Sequence, residues 1–184
     1  MSIIIEKLRD SSRELGSVKV LAVCAMLLAL RIVLGIFSNF TLAVVPFVKI
    51  GFSFIPVAVA AYLYGPVCTA VISGAGDVLS IIFANPTAFS LNPAITACCV
   101  WEGMIYGFAL YHGELSLKRV IIAKAAVLAL CHLPLNTLAL SFLMGMPYLT
   151  LLLYRAAVLI PFAAVEVAII MIMKKPLERI ERTL

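Results

Sequence analysis

Apolar residues run almost unbroken along this chain, and the interruptions are turn residues set about one membrane thickness apart. A helix rises about 1.5 Å per residue, so roughly 20 apolar residues cross a hydrocarbon core of about 30 Å. Cutting at the turns predicts six helices, over 17–38, 47–64, 66–84, 93–111, 118–143 and 148–173. Ser38-Asn39-Phe40-Thr41 ends the first, and Gly65-Pro66 reverses the chain between the second and third. A polar loop over 85–92 ends in Asn92-Pro93, an N-cap followed by proline at the first helical position. Gly145-Met146-Pro147 turns the chain before the last helix. Residues 3–14 mix apolar and charged positions and predict a short amphipathic helix lying at the interface. The expected fold is therefore an all-α integral membrane protein, a six-transmembrane-helix bundle within one membrane domain spanning 1–184. Residues 1–16 form its interfacial helix, 17–173 its spans and 174–184 a basic cytoplasmic tail.

Composition agrees with the pattern. Apolar residues make up 64% and charged residues 12%, against about 45–50% and 25% in soluble domains, and the mean hydropathy is +1.16. A soluble fold of this size leaves too much surface in water to hide that much hydrocarbon. Soluble enzymes, fibres and disordered tails are thereby excluded.

The net charge of +5 is a matter of topology rather than of nucleic-acid binding. Eleven of the fourteen Lys and Arg residues fall in three clusters: Lys7, Arg9, Arg13 and Lys19; Lys118, Arg119 and Lys124; Lys174, Lys175, Arg179 and Arg182. In a six-span chain all three clusters lie on one face, which places both termini in the cytoplasm. The five cysteines, Cys24, Cys68, Cys98, Cys99 and Cys131, all sit in apolar runs and read as small apolar filler. The first run, 18–37, is too long for the core of a signal peptide. There is no H-E-x-x-H, no G-x-S-x-G, no cluster of metal ligands and no phosphate-cradling glycine loop. The sequence thus points away from an enzyme and from a bound metal or cofactor, and any uphill transport must draw energy from a partner or a coupled ion.

Six charges fall inside or at the rim of the membrane: Arg31, Lys49, Arg155, Asp77, Glu102 and Glu166. Each costs about 2.5 kcal/mol or more there unless it pairs or lines a cavity. Counted from the helix ends, the outer half holds Arg31, Lys49 and Arg155 against Asp77 alone, which predicts an anion entering from outside. On the first helix Ala22, Ala25 and Ala29 share a smooth face opposite Arg31, suited to close approach of another helix, and Gly35 is expected to leave room beside Arg31. Thr69, Ser73, Asp77 and Ser80 form a polar stripe, while His132 and Asn136 share a face around Pro134, which is expected to bend its helix. Arg155 and Glu166, eleven residues apart, face the same way.

Several stretches in order, ALRIVLGIFSN (29–39), VKIGFSFIPVAVAAYLYGPV (48–67), GAGDVLSIIFANPTAF (74–89), IYGFALY (105–111), NTLAL (136–140) and RAAVLIPFAAVEV (155–167), together cover most of 22–167. They resemble the folate-specific substrate-binding S components of energy-coupling factor (ECF) vitamin transporters. The resemblance implies a vitamin-capturing subunit that docks, through a face such as Ala22/Ala25/Ala29, on a transmembrane coupling subunit with two cytoplasmic ATPases in a prokaryotic cell membrane. It implies folate as ligand, with Asp77 and Asn136 on the pterin edge, Arg31, Lys49 and Arg155 on the carboxylates, His132 nearby, and loops 39–48 and 84–92 as an outer gate. Two other readings stand beside it. One is an S component for another vitamin or precursor, such as a queuosine precursor, thiamine or riboflavin. The other is a self-contained ion-coupled transporter with Asp77, Glu102 and Glu166 as a proton relay.

Overall fold

A computed structural model describes residues 2–41, 51–84, 92–113 and 115–181. The elements are α1 (Ser2–Glu14), α2 (Val18–Thr41), α3 (Phe54–Ala84), α4 (Pro93–Leu110), α5 (Leu117–Val127), a π-helical stretch (Leu128–Asn136), α6 (Thr137–Met144), α7 (Tyr148–Ile172) and α8 (Lys174–Glu181). No strand occurs among the described residues. Among the described residues, five segments are long and apolar enough to cross a membrane: Val18–Phe37, Phe54–Phe83, Pro93–Leu110, Leu117–Leu143 and Tyr148–Ile172.

The segment Phe54–Phe83 contains the expected reversal. Gly65 takes φ 77° and ψ −167°, a left-handed conformation that costs glycine little and other residues much, and it splits α3 into arms 54–64 and 66–84. Ser53 and Gly76, on opposite sides of this turn, both meet Arg31, so the arms fold back on each other. The first arm is roughly 16 Å long at 1.5 Å per residue, and the start expected at 47 moves to Phe54, with 42–50 outside the described residues.

The turn is stapled by α1. Pro66 stands at the first position of the second arm, and the backbone N–H groups of Val67 and Cys68 have no partner within their own helix. Both donate to Ser11 Oγ, at 3.1 and 3.5 Å, while that hydroxyl donates to Tyr64 O at 2.6 Å. Four residues earlier on α1, Lys7 Nζ donates to the carbonyls of Phe108 (3.1 Å) and Tyr111 (2.6 Å), satisfying the C-terminal end of α4. Burial and the Arg119 charge lower the Lys7 pKa. Tyr111, whose ring covers Gly65, donates from its hydroxyl to Glu14 Oε1 at 3.0 Å, and burial together with that bond raises its pKa.

Helix packing in lipid relies on close approach rather than on a hydrophobic drive. The second arm of α3 and α4 run antiparallel: Gly74 meets Val100, Gly103 meets Thr69 and Ser73, and Gly107 meets Pro66. A side chain at Gly107 has no space, because its Cβ falls on the Pro66 backbone. The apolar core lies at the end that carries α1, where Val57, Ala61 and Tyr62 of the first arm meet Tyr106 and Leu110 of α4, Val120 and Ala123 of α5, and Ile170 of α7.

Three further features differ from expectation. Helix α2 continues through Ser38–Asn39–Phe40 to Thr41, because the run contains neither glycine nor proline to interrupt its backbone hydrogen bonds. The long fifth helix is not a simple proline bend: Pro134, unable to donate, sits within π-helical winding over Leu128–Asn136. The tail beyond 173 folds as α8, which buries Leu177 in the same core cluster as Leu115 and Val120.

Candidate functional site

A cavity of about 170 Å³ lies beyond the apolar core and is lined from α2, both arms of α3, α4, α5, the π-helical stretch, α6 and α7. Helix α2 contributes Arg31, buried, with Nη1 donating to Ser53 O at 3.3 Å. The space it uses is made by Gly76, where a Cβ sits 2.5 Å from Arg31 Cδ; Gly35, expected to leave that room, instead makes room for Ser80. The polar stripe on the second arm divides. Asp77 and Ser80 line the cavity, whereas Thr69 and Ser73 face Gly103 of α4. Asp77 Oδ2 accepts from Thr96 Oγ1 at 3.0 Å, which ties its carboxylate to the start of α4.

Helix α4 presents Ile95, Cys99 and Glu102, and α7 presents Arg155, Leu159, Phe162 and Glu166, both at the three-and-four spacing of one helical face. Arg155 and Glu166 therefore do face the same way. His132 and Asn136 also reach the cavity together from the π-helical stretch. The winding is accommodated partly by Thr137, whose hydroxyl donates to His132 O at 3.2 Å.

The structure thus brings together Arg31, Asp77, His132, Asn136 and Arg155 in one cavity. Lys49 lies outside the described residues, as does most of both expected gate loops. Ala22, Ala25 and Ala29 lie on the exposed side of α2, away from Arg31.

Lys124 overturns its sequence assignment. Expected among the cytoplasmic cations, it is 5% exposed and forms an ion pair with Glu166 in the cavity. The clue was depth: Lys124 stands seven residues into α5 and Glu166 six before the end of α7, so the two meet at one level. Glu102, equally absent from the expected site, has Oε1 at 3.7 Å from His132 Nε2. The cations and carboxylates among the described lining residues balance, Arg31, Lys124 and Arg155 against Asp77, Glu102 and Glu166. The expected excess concerned the outer layer alone, where Arg31 and Arg155 stand against Asp77 among the described lining residues. Counted along the helices at about 1.5 Å per residue, Lys124–Glu166 forms a floor roughly 15 Å deeper than the layer holding Arg31, Asp77, Asn136 and Arg155, and Glu102, six residues past Thr96 on α4, lies between the two.

A set of apolar membrane-length helices around a deep polar cavity defines a multi-pass membrane protein with an internal polar site. The model of the family described as "ECF transporter, substrate-specific component" matches residues 19–177, and the chain belongs to that family. It is 30% identical over 153 residues to the folate transporter FolT of Clostridium novyi (strain NT), spanning 82% of this chain and 86% of that protein. It is 32% identical over 115 residues to the folate transporter FolT of Leuconostoc mesenteroides, spanning 62% and 59%. A crystal structure of FolT bound with folic acid superimposes with a TM-score of 0.77 at 25% identity, covering 87% of this chain and 95% of that one.

Proposed function

We propose that this chain is the folate-capturing subunit of an ATP-driven ECF uptake transporter in a prokaryotic cell membrane. The observation that carries the reading is the gathering of Arg31, Asp77, Asn136 and Arg155 in one buried cavity, in a chain similar to two folate transporters. Folate joins a flat pterin, with an amide edge, to a glutamate bearing two carboxylates. Asp77 and Asn136 supply acceptors and donors for the pterin edge, with His132 beside them. Arg31 and Arg155, with Lys49 at the rim, neutralise the carboxylates through charge-assisted hydrogen bonds that a low-dielectric site strengthens. Carrier function needs no bond-breaking group, so the subunit is not an enzyme.

The two arms of α3 fold back at Gly65 and count as separate passes, the first described only from Phe54, which makes six and leaves both termini on the cytoplasmic side. The packing of α1 and α8 at one end of the bundle supports this. The cavity then opens outward, and ATP hydrolysis is supplied by two cytoplasmic ATPases acting through a transmembrane coupling subunit. The exposed Ala22, Ala25 and Ala29 form the docking face against which the loaded subunit reorients. Ala25→Trp accordingly abolishes co-purification with the coupling subunit and leaves ligand affinity within twofold; loss of ligand binding instead places this face inside the bundle.

Calorimetric titration of the purified chain in detergent tests the substrate. Folic acid binds one-to-one, and thiamine and riboflavin do not. Binding of a control vitamin in place of folic acid, or identification by mass spectrometry of a different co-purifying compound such as a queuosine precursor, overturns the folate assignment while leaving the family unchanged. Acidification-driven transport by the chain alone in liposomes overturns the dependence on ATPases.

A further inference from the structure

The carboxylates in the cavity are not equivalent. Glu166 is in direct contact with Lys124, and Asp77 Oδ2 is occupied by Thr96 Oγ1 at 3.0 Å. Glu102 is 9% exposed, and its Oε1 lies 3.7 Å from His132 Nε2, beyond hydrogen-bond length. A buried carboxylate has about four acceptor positions and is costly to leave without close donors. It stands on the cavity face of α4 with Ile95 and Cys99, across from His132 and Asn136. The wall at this level therefore offers a two-oxygen acceptor beside an amide that both donates and accepts.

We propose that Glu102 is the specificity-determining residue for the ligand's heterocycle. Its two oxygens accept from adjacent ring N–H and exocyclic amino donors of a 2-amino-4-oxo pyrimidine edge, while Asn136 donates to the neighbouring carbonyl and His132 holds the carboxylate in place. Two parallel charge-assisted bonds make this contact stronger and more geometrically selective than either bond alone. An edge lacking the amino donor leaves one Glu102 oxygen buried without a partner. The proposal rests on the folate reading; it keeps Asn136 on the pterin edge and assigns the ring N–H and amino donors to Glu102 in place of Asp77, whose carboxylate is tied to Thr96.

The test compares folic acid, its 2-deamino analogue and (4-aminobenzoyl)glutamate by calorimetry on the purified full chain and on Glu102→Gln. The wild type binds the 2-deamino analogue at least tenfold more weakly than folic acid. In Glu102→Gln, folic acid weakens at least tenfold, the difference between the two pteridines falls below threefold, and (4-aminobenzoyl)glutamate binds as in the wild type. Equal affinity of the wild type for both pteridines overturns the proposal, and this comparison decides even if the variant fails to fold. Retention of the tenfold difference in Glu102→Gln, or equal weakening of all three ligands, overturns it as well. Failure of the wild type to bind folic acid removes the folate reading and this proposal together, whereas tight folic acid binding with no effect at the amino group removes the proposal alone.

Discussion

Lys124→Met lowers the unfolding free energy of the purified protein by about 3–5 kcal/mol, the usual cost of stranding one member of a buried ion pair. Lys124 and Glu166 are each less than a tenth exposed and touch across the floor of the cavity. Removing the ammonium leaves the Glu166 carboxylate in a medium that solvates it poorly. Glu166→Gln leaves a buried ammonium and costs a similar amount. The double variant Lys124→Met/Glu166→Met recovers most of the loss, because two apolar side chains need no counter-charge. Denaturant or thermal unfolding in detergent measures all three. A double variant as unstable as the singles shows that the floor depends on the shape of these side chains rather than on their pairing. This expectation separates the floor pair from the ligand-binding layer above it: at equal folded fraction, the double variant binds folic acid with little change.

Arg31→Ala and Asn136→Ala each weaken folic acid binding more than tenfold, which corresponds to more than about 1.4 kcal/mol. Arg31 enters the cavity through the gap left by Gly76 and is held by the Ser53 carbonyl at 3.3 Å, so its guanidinium is positioned before a ligand arrives and little entropy is lost on binding. Asn136 is held by the π-helical winding around Pro134. The two variants differ in which part of the ligand they affect. Arg31→Ala reduces affinity for (4-aminobenzoyl)glutamate, which carries the carboxylates, and Asn136→Ala does not. Unchanged folic acid affinity in both variants, each melting like the wild type, overturns the assignment of these residues to the site.

Much of the fold is legible because membrane insertion imposes length and polarity on every span. The N-cap of α4 illustrates how local this information is: Asn92 precedes Pro93, and its side chain accepts from Ala94 N at 2.9 Å, as the dipeptide predicts. The reversal at Gly65-Pro66 is equally local, since it needs only a residue that tolerates positive φ and one that starts a helix without an N–H. The site was legible in part, because an ionisable residue inside an apolar run has few reasons to be there other than pairing or binding. Arg31, Asp77, His132 and Arg155 were expected on that argument and Asn136 because it shares a face with His132, and all five line the cavity. Lys124 was not expected there, since three cations near one helix start resemble a topogenic cluster whatever their depth.

Chain order and residue type alone determined the membrane class, most helix boundaries, the smooth alanine face of α2 and the set of charges that must leave the lipid. Those properties follow from the cost of exposing polar groups to hydrocarbon, which each segment meets largely by itself. Which charges meet was decided only by the tertiary structure. Lys124 chose Glu166, Glu102 faced His132, Asp77 took Thr96, and Ser11 closed the turn at Gly65. Pairing depends on the relative depth and rotation of neighbouring helices. Shifts of a single residue in a boundary, or a change from α to π winding such as that over 128–136, rotate a side chain from one partner to another, and no local pattern records that choice.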